Sequence, residues 1–207
     1  MYNVEGIRWF LEDAGDLRGK SVCDLGNQHI WIGAARYVKT KHDVARDWML
    51  DLGVDRYVSI DNNALDGAIP HDLSKPISDK SLLGKFDIVT NMGTSEHVGA
   101  HFRLSETDVL NAQCECMANM FALCRDGGLM IHQVPPVGYW RQHGIVNYDL
   151  DFPRALAAAC GSTLVRSEMV QLLTLNPSEY LLSFTITKTG TRFAPTLDLL
   201  KKIEVNL

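Results

Sequence analysis

Four short β-rich runs constrain this chain more than anything else in it. SVCDLG (21–26), DRYVSID (55–61), KFDIVTN (85–91) and GLMIHQVPP (128–136) are apolar and rich in branched residues, and each closes on Gly, Asp, Asn or Pro. Helical patterns stand around them: NVEGIRWFLEDA precedes the first run and ETDVLNAQCECMANMFALCR (106–125), closed by Asp126, Gly127 and Gly128, precedes the last. A parallel neighbour needs a crossover connection of about a dozen residues or more, usually a helix, so strands spaced this way pair in parallel. The pattern predicts an α/β fold with a mostly parallel sheet and helices on both faces.

The remaining segments complete that plan. A long helix is expected from about Gly33 to Leu52, ended by Gly53, and a short third strand in AIPHDL (68–73). FPRALAAACG (152–161) reads as a helix. TLVRSEMV (163–170) and YLLSFTITK (180–188) follow one another with only an NPS turn (176–178) between them, which predicts an antiparallel edge. With no repeat or linker, a single domain is expected over residues 1–207: an N-terminal helix in 1–19, a core in 20–190 and a tail in 191–207. The stretch PTLDLLKKIEVNL (195–207) is amphipathic and offers a face to the domain or to a partner subunit, which leaves a homo-oligomer open.

Composition removes several function classes. A net charge of −5 and a pI near 5.8 lack the basic stripe that phosphate backbones attract. No run of 18 apolar residues exists and the first residues do not form a signal peptide, so no membrane partner and a cytoplasmic location are expected. The five cysteines are odd in number and show no CxxC pair, which argues against a disulfide framework or a zinc site.

In an open parallel sheet, ligands bind outside the carboxyl ends of the strands. Those ends carry Asp24, Gly26 and Asn27, then Asp61, Asn62 and Asn63, then His71, Asp72 and Leu73, then Asn91, Met92 and Gly93. Carboxylates converging on one edge favour a hydroxylated or cationic ligand, such as a nucleoside, over a bare phosphate. The first turn, DLGNQHIW, has Gly26 alone where a dinucleotide site wants GxGxxG, which disfavours a nicotinamide-dependent oxidoreductase.

In this order the segments VCDLGNQ, YVSID, HDL, FDIVTNMGTSEHV and DGGLMIHQVP resemble the motifs of class I S-adenosylmethionine-dependent methyltransferases, over residues 20–190. The resemblance implies a Rossmann-like seven-stranded sheet and S-adenosylmethionine as cofactor. It carries a cofactor-binding set onto Asp24, Gly26, Asn27, Gln28, Asp61, Asn62, His71, Asp72, Leu73, Asn91, Met92 and Gly93. Gly26 and its neighbours fall beside the methionine part, Asp61 at the ribose hydroxyls, Asp72 and Leu73 at the adenine, and Asn91 to Gly93 along the floor. Two departures stand out: Asn27 and Gln28 occupy positions where the family carries small residues, and the link from Asp61 to the third strand is too short for a crossover helix. The first of these, the degenerate first turn, raises the alternative of a non-catalytic S-adenosylmethionine-binding or partner subunit that keeps the fold.

Glu96 and His97, just past the fourth strand, are the candidate catalytic pair: an imidazole that titrates near neutrality beside a carboxylate that can orient it or bind a substrate amine or hydroxyl. The same two residues also suit a packed, capped turn. His97 and His101 share i,i+4 spacing, but no third ligand or HExxH pattern accompanies them, and no metal is assigned. VPPVGYWRQHGIVNYD (134–149) reads as a substrate lid, with Tyr139, Trp140, Arg141 and His143 as candidate contacts. His132 joins them if strand alternation turns it to the cleft. The expected activity is methyl transfer to an oxygen or nitrogen nucleophile of a small molecule. DNA adenine is disfavoured by the acidic balance and the absence of a DPPY-type motif, while RNA stays open.

Overall fold

The computed structural model describes residues 1–100, 105–140, 143–173 and 176–206. Strands β1 (Ser21–Leu25), β2 (Arg56–Asp61), β3 (Ile69–Pro70), β4 (Phe86–Met92), β5 (Cys124–Val134), β6 (Val146–Tyr148), β7 (Thr163–Leu172), β8 (Asn176–Thr187) and β9 (Ile203–Val205) alternate with helices. The helices are α1 (Val4–Ala14), α2 (Ile32–Tyr37), α3 (Ala45–Asp51), α4 (Glu106–Leu123), α5 (Phe152–Ala159) and α6 (Leu197–Leu200). Seven strands form one sheet in the order β3-β2-β1-β4-β5-β8-β7. β1 to β5 pair in parallel, and β8 runs antiparallel to both β5 and β7. The Rossmann-like α/β sheet with an antiparallel edge is thus present, and its order places β1 and β4 side by side at the centre.

Side-chain alternation along these strands builds a core on each face. Cys23, Leu25, Phe86 and Val89 pack with Met117, Met120 and Phe121 of α4 on one face. On the other, Val22 and Ile88 meet Ile7 and Phe10 of α1 and Trp48 and Met49 of α3. α1 is capped by Asn3, whose side chain accepts from the Gly6 amide at 2.7 Å. α4 begins with a reciprocal capping box between Ser105 and Asp108. All five cysteines are free thiols and all but Cys114 are buried.

Four expectations need correction. The single helix over 33–52 is two, because Lys39 takes a left-handed conformation (φ 56°) and Val44 is extended, so α2 cannot run into α3. The third strand shrinks to Ile69–Pro70; the chain leaving Asp61 turns through left-handed Ala64 and Asp66, too short a link to deliver a longer strand. α4 stops at Leu123 and pairing begins at Cys124, so the turn residues Asp126 to Gly128 lie inside β5. Asn176, Pro177 and Ser178 start β8, with Leu172 opposite Asn176, instead of forming the turn before it. The amphipathic tail folds back onto the domain: β9 pairs antiparallel with β6, and Leu199 and Ile203 enter the core. No helix among the described residues is long and apolar enough to cross a membrane.

Candidate active site

The carboxyl ends of β1, β2 and β4 open onto a cavity of about 510 Å³. Gly26, Asn27, Gln28, Asp61, Asn62, Asn63, His71, Asp72, Leu73 and Gly93 line it, so most of the predicted strand-end residues do converge. Gly26 has φ +84°, and a Cβ there would collide with Thr94 Oγ1 and stand 2.9 Å from Gln28 Nε2, so only glycine fits. Gln28 replaces the missing glycines with a brace: its Nε2 donates to Leu25 O at 3.0 Å and to Thr94 Oγ1 at 2.8 Å, and Thr94 donates to Leu25 O at 2.7 Å. Among the described residues the buried Gln28 Oε1 has no hydrogen-bond partner.

Asp61 is held from both sides. Its Oδ2 accepts from the Asn27 amide at 2.7 Å and its Oδ1 from the Asn63 amide at 2.9 Å. A carboxylate offers about four lone-pair positions, so two remain for hydroxyls entering the cavity. Asp72 organises an Asx turn, accepting from the Ser74 amide at 2.9 Å and its hydroxyl at 2.7 Å, while His71 Nε2 stands 3.0 Å from Lys75 O. Both side chains therefore shape the wall of the cavity as turn formers.

A second cavity of about 330 Å³ adjoins the first, and both are lined by Met1, Gly93 and His97. Trp31, Met92, Glu96, Gln133, Trp140 and His143 complete most of its lining. Glu96 sits in a 3-10 turn, Ser95–His97, fixed by a buried network. Asn91 Nδ2 donates to Ser95 Oγ (2.8 Å), Ser95 Oγ meets the Tyr148 hydroxyl (2.7 Å), Tyr148 donates to Gln113 Oε1 (2.7 Å), and Gln113 Nε2 donates to Ser95 O (2.7 Å). Burial pushes the Glu96 carboxyl up to about 7, since the charged form loses its water. Its Oε1 stands 3.8 Å from His97 Nε2 and 3.9 Å from His143 Nε2, and its buried Oε2 has no hydrogen-bond partner among the described residues. Burial lowers the pKa of both imidazoles, with His143 lowering that of His97 further. The close approach of the two segments depends on Gly144, where a Cβ would lie 2.7 Å from Glu96 O.

Some predicted residues fall elsewhere. Asp24 is fully buried, accepting from the hydroxyls of Tyr2 (3.0 Å), Tyr57 (2.7 Å) and Thr90, because β1 alternation points it into the α1 side of the sheet. Asn91 braces the Glu96 turn. His132 does not face the cleft: it is stacked on Phe184 in the core with centroids 4.2 Å apart, and burial drives its pKa down to about 3. Tyr139 packs on Tyr180 outside both cavities. Arg141 and His101 lie outside the described residues. Thr94, Trp31 and Gln133 were not foreseen. Gln133, next to His132, is the β5 residue that reaches the cleft, and the uniformly apolar LMI before it left alternation without a polar face to set the phase.

No protein-family profile and no curated protein sequence matches the chain. Solved structures do. The 1,6-didemethyltoxoflavin-N1-methyltransferase of Burkholderia thailandensis, with bound 1,6-didemethyltoxoflavin and S-adenosylhomocysteine, has a TM-score of 0.56 at 17% identity, covering 87% of this chain and 75% of its own. N-methyltransferase NodS from Bradyrhizobium japonicum, in complex with S-adenosylhomocysteine, gives 0.54 at 14% identity, covering 88% and 83%. A 16S rRNA (adenine(1408)-N(1))-methyltransferase from Catenulisporales acidiphilia gives 0.50 at 14% identity, covering 92% and 94%. The names of the first and the third give different acceptors on one scaffold, and at such identities the likeness is one of fold. Sheet order, strand-end cavity and these likenesses together give the chain the fold of the class I S-adenosylmethionine-dependent methyltransferases.

Proposed function

We propose that this chain is a methyltransferase that uses S-adenosylmethionine to methylate an oxygen or nitrogen nucleophile of a small molecule. The observation that carries the reading is the junction of two cavities at Gly93 and His97, one rimmed by strand-end polar groups and one by Trp31, Met92, Glu96, Trp140 and His143. The residues of the first cavity fit the cofactor: Asp61 keeps two acceptor positions for ribose hydroxyls, the orphaned Gln28 Oε1 suits an ammonium group, and Gly26 leaves room for close approach. His71, Asp72 and Leu73 would wall the adenine.

When bound, the cofactor would supply a sulfonium methyl group, an electrophilic carbon open to an acceptor's lone pair. This chain's part is to hold the acceptor in line, the largest source of acceleration in such a transfer. Trp31, Met92 and Trp140 give the second cavity flat apolar walls that exclude water. Glu96 and His97 stand at the junction to receive the proton that an O–H or N–H acceptor gives up.

Calorimetric titration with S-adenosylmethionine and S-adenosylhomocysteine tests the cofactor half, and Asp61→Ala should weaken binding by about 100-fold. Undiminished binding in that variant contradicts the assignment. Turnover of the methyl donor over an acceptor panel tests the catalytic half, and binding without any turnover would favour a non-catalytic partner subunit instead.

A further inference from the structure

We infer that Glu96, His97 and His143 form a binding site for a divalent first-row transition ion of the zinc class, at the floor of the second cavity. Each residue offers one ligand atom, and the three atoms lie within 4.8 Å of one another. The set is two imidazoles and one carboxylate, the donor chemistry that such ions take when they keep a coordination position open.

The spacing decides between an ion and a plain hydrogen-bonded triad. At 3.8 and 3.9 Å the two contacts from Glu96 Oε1 to the imidazoles are too long for hydrogen bonds. Tetrahedral ligands at about 2.0–2.1 Å from a zinc ion stand ~3.4 Å apart, so around an ion the two Glu96–imidazole gaps close by about half an ångström and the widest pair of ligand atoms, within 4.8 Å, by at most about 1.4 Å. Glu96 is 1% exposed, the N-terminal amine acts on it electrostatically, and among the described residues its buried Oε2 has no hydrogen-bond partner. A buried carboxylate with an unmet oxygen is costly, and a cation between it and two imidazoles removes that cost.

The surroundings hold this geometry in place. The Ser95–His97 turn is fixed by the Asn91–Ser95–Tyr148–Gln113 network, and the His143 loop is pinned to it by the Ile145 amide donating to Glu96 O at 2.9 Å. Gly93 and Gly144 leave the space around the Glu96 side chain that a Cβ at either position would invade, at 3.3 Å and 2.8 Å. Trp140 packs edge-on against His143 with ring centroids 5.0 Å apart. The two imidazoles are nearly half exposed, which gives an ion a path in from solvent. The remaining coordination position faces the second cavity, where a hydroxyl or carboxylate oxygen of an acceptor is the ligand class it would take. The sequence pattern concealed the site because its third ligand comes from a loop 46 residues beyond His97, the difference between positions 143 and 97.

This site does not depend on the methyl-transfer reading, and its test uses the metal alone. The full chain, stripped with a chelator, is titrated with Co²⁺ followed by visible absorption, and with Zn²⁺ followed by calorimetry. The expected result is saturable binding of one ion per chain, with the d–d bands of a nitrogen- and oxygen-ligated ion. His97→Ala, His143→Ala and Glu96→Gln should each weaken it by about tenfold or more, while affinity for S-adenosylhomocysteine stays within about twofold in His143→Ala, whose side chain lines the second cavity and not the first. Each variant's thermal unfolding is followed to establish that it is folded, and His143→Ala, on the exposed loop, serves where Glu96→Gln is not. The proposal is overturned by an absence of saturable binding up to roughly 100 µM metal. It is equally overturned by binding that survives the paired histidine substitution, or by a sulfur-to-cobalt charge-transfer band, which would put the ion on a cysteine. Loss of S-adenosylhomocysteine binding alone would count against the methyltransferase reading and leave this site standing.

Discussion

The two cavities of this molecule are built on different plans. The first takes nearly all its polar groups from the tips of adjacent parallel strands, so a regular sheet fixes their spacing and Asp61 is locked by neighbouring amides. The second gathers Trp31, Met92, Glu96, Gln133, Trp140 and His143 from segments scattered along the chain, held by side-chain networks and by two glycines. A scaffold of the first kind keeps one ligand over many sequences, whereas a wall of the second kind changes its acceptor with a few substitutions.

The sharpest way to separate the two plans is Asp61→Ala. It removes the acceptor of two backbone amides and of the proposed ribose hydroxyls, and S-adenosylhomocysteine affinity should fall by about 100-fold, ~3 kcal/mol, as hydrogen bonds to a charged group imply. Calorimetry on Asp61→Ala beside Glu96→Gln checks it; equal losses in both would erase the distinction. Next in size is Gly144→Ala, whose Cβ would press 2.7 Å from Glu96 O and move the His143 loop. Displacement on this scale should lower kcat by about tenfold and leave donor affinity unchanged, as steady-state kinetics with titration would reveal. A parallel drop in donor affinity would mean the cavities act as one.

Tyr148→Phe takes one hydroxyl from the network beneath Glu96, leaving Ser95 and Gln113 each short of a partner. Urea unfolding should record a loss of about 1–2 kcal/mol. The smallest effect is expected at the opposite end of the parallel strands, at the start of the central β4. Partial burial works to raise the Asp87 carboxyl, but hydrogen bonds from Ser21 and Arg125 outweigh it and hold the group at about 2. A carboxylate depressed below its unfolded value of about 3.9 adds stability above that pH and loses it as pH falls toward the folded value. Asp87→Asn should therefore be less stable than the parent at neutral pH and converge with it near pH 2, with donor binding untouched; a difference that persists in acid would refute the assignment.

How much of this was legible follows from the same contrast. Gly26, Asp61 and Gly93 end runs whose β character and closing residues are visible in a few adjacent letters, and sheet topology brings them together without further information. The antiparallel hairpin was readable because no helix separates its strands. His132 was misplaced and Gln133 overlooked because both faces of β5 are buried there, so period-two alternation carried no inside-outside contrast. The division of the 33–52 helix turned on one left-handed backbone at Lys39, a tertiary choice that lysine does not advertise. His143 beside Glu96 is a long-range contact allowed by the missing Cβ of Gly144, and no local pattern announces it.

The return of the chain's last segment has a mechanical consequence. β9 grips β6 over three residue pairs, Val146 to Tyr148 against Ile203 to Val205, and Asn206 adds a 2.6 Å hydrogen bond to Asn147. So short a ribbon opens locally at far less cost than the sheet beside it. Tyr148 of β6 bonds Ser95 and Gln113 beneath Glu96, whereas Asp61 is held by the Asn27 and Asn63 amides, so the second cavity can loosen on a clock of its own.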